Sequence, residues 1–324
     1  MVSIIIPFKN PMPYFKDCLK SILRQSYSKL QIILVNDGST DHSLKIAEEH
    51  QIKDHRIKIV ANNGSGIIEA LKTGANLASG KYICRMDADD LMDENKIEDL
   101  RNLLLLKGEK FIAIGKVAYF SSEKKMGNGY INYAHWLNNL TANSNNFNEI
   151  YKECSIPSCC WMMHLNDFLK INGFQDLIFP EDYHFAFKVY YGNLKIVTTK
   201  KTIHFWRDHP KRTSRNEKVY SFENFIPLKL YYLKKYEVKE NDQLVLWGAG
   251  KKGKKIAKEL IKDSFPFIWI TNNSKKIGHI IYNNKIVSLD YLKKEVKKIV
   301  ICGISDPNFK LPNDSRFNRF FKFY

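Results

Sequence analysis

Long hydrophobic runs are missing from this 324-residue chain. No stretch reaches the roughly 18 apolar residues that a membrane-spanning helix requires. After Met1-Val2-Ser3 the apolar Ile4-Ile5-Ile6 is cut short by Pro7, which does not read as a secretory leader. The chain is therefore expected to be cytoplasmic, at the inner face of a membrane only where a partner or a peripheral contact brings it there. Cysteine is sparse: six in all, with no C-x-x-C pair, and the adjacent Cys159-Cys160 are poorly disposed to bridge one another. That argues against a disulfide framework or a zinc site and leaves Cys18, Cys84, Cys154 and Cys302 to be read as buried free thiols. No segment ends in Gly-Lys-Ser/Thr, so a P-loop is excluded. Acidic residues are outnumbered 34 to 51 by Lys and Arg, a net charge of +17. Such a surplus favours polyanions or an anionic membrane surface. It is spread over pairs such as Lys251-Lys252, Lys254-Lys255 and Lys297-Lys298, which read as solvated helix faces, and no specific nucleic-acid partner is expected.

What the chain does have is a repeating strand-and-helix pattern. Ser3–Pro7 predicts a strand, Tyr14–Gln25 an amphipathic helix, Gln31–Asn36 a strand, Ser43–Ile52 a helix, Ile57–Val60 a strand, Ile67–Leu77 a helix and Tyr82–Met86 a strand. This alternation implies an α/β domain with a mainly parallel sheet and helices on both faces. Beyond it, Phe111–Phe120 reads as a strand, Asn138–Asn148 as a polar loop, Tyr183–Tyr191 as a helix, Lys195–Thr198 as a strand and His204–Pro210 as a polar turn. Helical, aromatic-rich sequence from Asn216 to Tyr236 precedes a change of composition near Lys239. The expected division is residues 1–215, a helical linker 216–239 and a small α/β domain 240–324.

Few as they are, the acids are concentrated. Five of them fall in Val35-Asn36-Asp37-Gly38-Ser39-Thr40-Asp41 and Met86-Asp87-Ala88-Asp89-Asp90, each directly after a buried-strand pattern. Acids at the carboxyl ends of neighbouring strands lie where an open α/β sheet keeps its ligand crevice. On an extended segment Asp87 and Asp89 face the same way and offer hard oxygens to Mn²⁺ or Mg²⁺, the remaining ligands coming from a diphosphate and water. Asp90 faces elsewhere and is expected to cap the helix starting near Asp93, while Asp41 and Thr40 suit the cap of the helix after the second strand. Asp37, followed by Gly38, can accept a hydrogen bond from a planar base. The flexible Asn63-Gly64-Ser65-Gly66 can bring amides near the same ligand.

Taken in order, Ser3-Ile4-Ile5-Ile6-Pro7, Gln25-Ser26-Tyr27, Val35 to Asp41, Ala75 to Gly80 with Tyr82, Asp87-Ala88-Asp89-Asp90, Gly173-Phe174 and Glu181-Asp182 resemble the motifs of the family 2 glycosyltransferases, across residues 1 to 215. The resemblance implies the GT-A fold and an inverting, metal-dependent transfer of sugar from a nucleoside-diphosphate sugar, a UDP-sugar by expectation. The acceptor would be a glycan or lipid-linked glycan in surface polysaccharide synthesis. It implies that Pro7 lines the nucleotide pocket, Asp37 holds the base, Asp87 lies near ribose and diphosphate, Asp89 binds Mn²⁺ or Mg²⁺, and Asp182 is the catalytic base. His209 falls where some members place a histidine near metal or diphosphate, and Arg207 is placed to meet phosphate. Asn36 stands where the family usually has a second acid. A nucleotidyltransferase, with Lys9 holding a triphosphate, and a non-catalytic sugar-nucleotide scaffold are the alternatives.

In the last stretch, Gly248-Ala249-Gly250-Lys251-Lys252-Gly253 has the G-x-G-x-x-G spacing between strand and helix. Trp269-Ile270-Thr271-Asn272-Asn273 offers no carboxylate for a ribose. A small Rossmann-like packing or regulatory module is the preferred reading, nucleotide or nucleotide-sugar binding the second. The aromatic tail Phe317–Tyr324 is expected to pack on this domain or a partner, or to touch a bilayer.

Overall fold

The computed structural model describes residues 1–121, 126–210, 212, 222–304, 306, 309–312 and 317–324. They divide into two compact units. The first comprises Met1–Asn148 and Ser155–Asn216, the second Glu149–Cys154 and Glu217–Tyr324. The division falls at 216/217, beside the expected end of the first domain at 215, and the helix Phe222–Tyr232, within the expected linker, goes with the second unit, where Lys229 donates to the Phe323 carbonyl at 2.9 Å. Residues 216–221 of the expected helical stretch lie outside the described residues.

The first unit is built on an eight-stranded sheet of order β3-β2-β1-β4-β7-β6-β8-β5. Strands β1 (Val2–Phe8), β2 (Leu30–Asn36), β3 (Ile57–Ala61) and β4 (Tyr82–Arg85) pair in parallel. Every residue of β1 is buried, as expected for a strand covered on both faces. Connecting helices α1 (Phe15–Leu23), α2 (Ser43–Lys53) and α3 (Gly66–Ala75) carry the apolar stripes; α1 buries Phe15, Cys18, Leu19 and Ile22. Helix α3 approaches so closely that a Cβ on Gly74 would overlap the Ile5 side chain. The other half continues through β5 (Leu91–Met92), α4 (Lys96–Lys107), β6 (Phe111–Phe120), α5 (Asn128–Ala142), β7 (Trp161–His164), α6 (Leu165–Lys170), α7 (Glu181–Tyr191) and β8 (Lys195–Arg207). Strand β7 runs antiparallel to both β4 and β6, so the sheet is mixed beyond its parallel half.

Three local expectations need correction. The segment from Asn138 onward is not a loop at first, since helix α5 runs to Ala142. Asn138 turns its amide onto the backbone of Val117, accepting from its N–H at 2.9 Å and donating to its carbonyl at 2.8 Å, beside an irregularity in the β6–β8 register. The Asn thus serves the part of β6 that extends beyond its pairing with β7. The second correction is β8, which continues through His204-Phe205-Trp206-Arg207 because these residues pair with β6 on one side and β5 on the other. Finally, Asp90 is no helix cap: it is 2% exposed and bonded to β8. Trp161, Met162 and Met163 are core, and all six cysteines are buried free thiols.

The second unit holds a six-stranded sheet of order β11-β12-β10-β9-β13-β14. Strands β9 (Gln243–Trp247), β10 (Ile268–Thr271), β12 (Asn284–Ser288), β13 (Lys298–Cys302) and β14 (Asn318–Lys322) are parallel; β11 (Ile280–Ile281) is a short antiparallel edge. At the glycine-rich turn Gly248 has φ +119°, which a side chain would disfavour, and a Cβ on Gly253 would overlap the Gly248 carbonyl oxygen. The tail forms β14, and Phe323 and Tyr324 are buried. Tyr151, from the six-residue stretch 149–154, packs on Phe321 at 4.9 Å and Phe323 at 5.8 Å. No helix of the described residues is long and apolar enough to cross a membrane.

Candidate active site

Because β2, β1 and β4 are parallel neighbours, Asp37, Pro7 and the Asp87–Asp90 segment emerge at the same edge of the sheet. Pro7 is buried in β1 opposite Val35, and the next carbonyl, of Phe8, accepts the Asp37 N–H at 2.9 Å. The Asp37 carboxylate, 10% exposed, receives Asn62 Nδ2 at 2.7 Å, the Gly66 N–H at 3.0 Å and Lys9 Nζ at 3.3 Å. Burial works against its charge, but Asn62, the Gly66 amide and Lys9 together outweigh it and hold the pKa below the usual value. Asn63 is exposed and sends its backbone N–H to Thr73 Oγ1; its neighbour Asn62 is the residue that reaches Asp37. Asp41 accepts the Ser43 N–H at 3.0 Å, at the start of α2.

After β4 the acids do not lie on an extended segment, as their spacing implies, but on a turn closed by the Asp90 N–H on the Asp87 carbonyl at 3.3 Å. The Asp87 and Asp89 carboxylates therefore part company. Asp89 Oδ2 lies 2.8 Å from His209 Nε2, and Arg207 Nε donates to the Asp89 carbonyl at 2.9 Å. Both side chains come from the end of β8 and its continuation. The Arg207 guanidinium is clamped between the rings of Tyr14 and Phe120, 4.7 and 4.6 Å from their centroids, and the His209 ring packs on Tyr14 at 4.6 Å.

Asp87 turns instead to Arg85, at 2.9 Å, and the same guanidinium reaches Glu181 Oε1 at 3.3 Å. Burial raises the Asp87 pKa, but Arg85, with a hydrogen bond from Cys159, overcomes this and leaves it lowered. Glu181 is 3% exposed, and burial, opposed by Arg85 and reinforced by Asp182, pushes it up to about 7. Its Oε2 has no partner among the described residues. Asp182 is half-buried in the first turn of α7, where the helix dipole favours an anion. It accepts the Tyr183 N–H at 2.7 Å and lines a narrow crevice with Arg85, Ser158, Trp161 and Phe185. The strand-end acids and the α7 acids are thus linked through one arginine.

Arg85, Asn62 and Arg212 have no expected role in the sequence, and Glu181 enters it only as the neighbour of Asp182 in a motif. Arg212 lies close enough to Asp90, Asp89 and Asp87 for their charges to raise its pKa against the opposing effect of burial. Only Arg85 carried a usable signal, a lone cation in the otherwise apolar run before Asp87.

Among the described residues no group of three or more His, Cys, Asp or Glu could enclose a metal. The pair present fits a more open arrangement. Asp89 Oδ2 and His209 Nε2 converge, and a carboxylate with an imidazole suits a cation that completes its shell from a diphosphate and water.

Comparison with known proteins bears on this geometry. Aligned over 219 residues, 66% of this chain, glycosyltransferase GlyA of Streptococcus pneumoniae is 28% identical; glycosyltransferase GlyG of the same organism is 34% identical over 131 residues, 40% of the chain. These alignments span only 31% and 42% of the two relatives' own lengths. Among solved structures, S. aureus TarS 1–349 in complex with UDP-GlcNAc superposes with a TM-score of 0.58 at 17% identity, covering 74% of this chain and 68% of that one. Mannosyltransferase PcManGT from Pyrobaculum calidifontis, in complex with GDP-Man and Mn²⁺, gives 0.54 at 18%, covering 74% and 65%. At such identities the likeness carries the fold alone. The family model described as glycosyl transferase family 2 matches residues 3–171, more than half of the chain. Since that match runs from β1 through α6 and takes in both strand-end acid clusters, the chain belongs to glycosyl transferase family 2.

Proposed function

We propose that the protein is an inverting, divalent-cation-dependent glycosyltransferase of the GT-A fold, using a nucleoside-diphosphate sugar and a hydroxyl of a glycan or lipid-linked glycan. The observation that carries this reading is Arg85, which touches Asp87 on the donor side and Glu181, next to Asp182, on the other. Pro7 and Asp37 bound the base pocket. Asp37, fixed by Asn62 and Gly66, stays ionised and accepts from a ring N–H such as N3 of uracil, which makes a UDP-sugar the preferred donor. Asn63 flanks that pocket, and Arg207 meets phosphate. Asp89 and His209 would hold Mn²⁺ or Mg²⁺, which when bound offsets charge developing on the departing diphosphate.

Asp182 takes the proton of the acceptor hydroxyl as that oxygen bonds to the anomeric carbon and the bond from that carbon to the diphosphate oxygen breaks. The products are the glycoside with inverted configuration, a nucleoside diphosphate and a protonated Asp182. The second unit, with its parallel strands and glycine turn, is read as a Rossmann-like packing or regulatory module. Action at the cytoplasmic face of a membrane in surface polysaccharide synthesis is the setting we infer. Binding of UDP-, GDP- and dTDP-sugars with and without Mn²⁺, followed by release of the nucleoside diphosphate, tests the proposal. Mn²⁺-dependent binding and slow turnover of one donor is expected; indifference to all of them overturns it.

A further inference from the structure

Behind the strand-end acids lies a chain of buried polar groups to which no step of sugar transfer has been assigned. Lys96, in the first turn of α4, is fully buried, as is His204 on β8, and Asp90 is 2% exposed. Lys96 Nζ donates to the Cys159 carbonyl at 2.6 Å and meets His204 Nδ1 at 2.9 Å. An ammonium only donates, so Nδ1 accepts and the ring hydrogen sits on Nε2. That nitrogen faces Asp90 Oδ2 at 3.1 Å. Burial, and then the charge of Lys96, hold the His204 pKa well below its usual value, consistent with a neutral ring. The other Asp90 oxygen accepts the Arg207 N–H at 2.8 Å.

Three ionisable groups in a core cost more than apolar residues of similar size unless they secure a geometry. Here the geometry secured is the junction of two segments. Asp90 follows Asp89 directly, and its two oxygens tie that turn to β8 at His204 and at Arg207. Two residues further on, His209 meets Asp89 at 2.8 Å. Without the tie, the Asp87–Asp90 turn and the end of β8 would be joined near the acids by the Arg207 side chain on the Asp89 carbonyl and the short β5–β8 pairing.

We propose that Lys96 and His204 are positioning residues for the donor–cation site, acting through Asp90 to keep Asp89 and His209 face to face. This inference rests on the reading of Asp89 and His209 as the cation-holding pair. The test is Mn²⁺ affinity, read by electron paramagnetic resonance with saturating UDP or GDP, in the full chain and its variants. His204→Leu, which removes the donor to Asp90, is expected to weaken Mn²⁺ binding about tenfold or more, the usual scale for groups that orient metal ligands. His204→Gln, which restores an N–H for Asp90, should regain most of that loss. A folded His204→Leu protein that binds Mn²⁺ like the unaltered chain, or a Gln variant no better than Leu, overturns the inference and leaves the donor reading standing. Should the unaltered chain bind no Mn²⁺ with either nucleotide, both fall together. Nitrogen-15 resonances of the His204 ring in the unaltered protein provide a check that needs no variant to fold: the hydrogen should reside on Nε2, and Mg²⁺ with the same nucleotide should shift that resonance. A ring bearing its hydrogen on Nδ1, or one blind to the titration, refutes the assignment.

Discussion

Glu181 offers the most quantitative test of the site's electrostatics. Its carboxyl is 3% exposed, one oxygen has only a 3.3 Å contact with Arg85, and the other is buried without a partner among the described residues. Burial, with the neighbouring Asp182 adding to it and Arg85 opposing, raises its pKa from 4.5 to about 7. A carboxyl whose pKa is higher in the folded chain than in the unfolded one retains its proton by folding. The fold bears no penalty below the unfolded value, loses stability as pH climbs between the two, and is level again above the higher one. At about 1.36 kcal/mol per pH unit, the full traverse is worth at most about 3 kcal/mol. Glu181→Gln keeps the shape and leaves an amide oxygen for Arg85, but abolishes the titration. Urea unfolding of both proteins, followed by circular dichroism at about pH 5 and about pH 8, should show the variant gaining on the parent by up to about 2.5 kcal/mol as pH rises, part of the traverse lying below about pH 5. Parallel pH dependences would mean that Glu181 is not held near neutrality, and that Arg85 and solvent stabilise its anion far better than the geometry suggests.

Four further outcomes are expected. Asp182→Asn should retain donor binding while transfer falls on the order of a thousandfold, and an unchanged turnover, corrected for donor hydrolysis, removes Asp182 from its role. In Asp89→Ala the response of activity to added Mn²⁺ or Mg²⁺ should vanish; a protein still inhibited by chelator and rescued by the ion would contradict the ligand assignment. Replacing Asn62 with Ala deletes a 2.7 Å bond to a carboxylate, and calorimetry should register nucleotide affinity lower by about tenfold, in line with about 1.5 kcal/mol for a bond to a charged group. Gly253→Ala places a Cβ on the Gly248 carbonyl and should cost about 1–3 kcal/mol, visible as a lower melting transition; an unshifted melting curve would show that the glycine turn yields without cost.

Legible in the sequence are the features that ride on local periodicity and on strand-end chemistry. The β1, β2 and β4 runs, the amphipathic α1 and the placing of Asp37 and Asp87 just beyond their strands follow from short-range pattern, because parallel strands buried on both faces read as continuous apolar runs. What the pattern conceals is decided by distant partners. Asn138 looks like loop chemistry until Val117 supplies its amide with a donor and an acceptor. His204 and Arg207 look like turn residues until β5 and β6 pair with them, and Asp90 looks like a helix cap until β8 takes both its oxygens. Lys96, one lysine among many, has no mark in the sequence to separate it from the solvated ones. The convergence of Asp89 and His209 spans 120 residues, and only the resemblance to a family anticipates it.

The stretch Glu149–Cys154 has a practical corollary for dissecting the molecule. It is flanked on both sides by residues of the first unit yet counts with the second, where Tyr151 packs on Phe321 and Phe323, and the Lys152 carbonyl accepts from buried Lys229 at 2.8 Å. A clean scission at 216 would carry this hexapeptide off with the wrong piece, baring an aromatic hook on one fragment and stripping a greasy socket on the other. Workable separate halves call for grafting or redesigning those six residues, and limited proteolysis at one site would nick the protein without parting it.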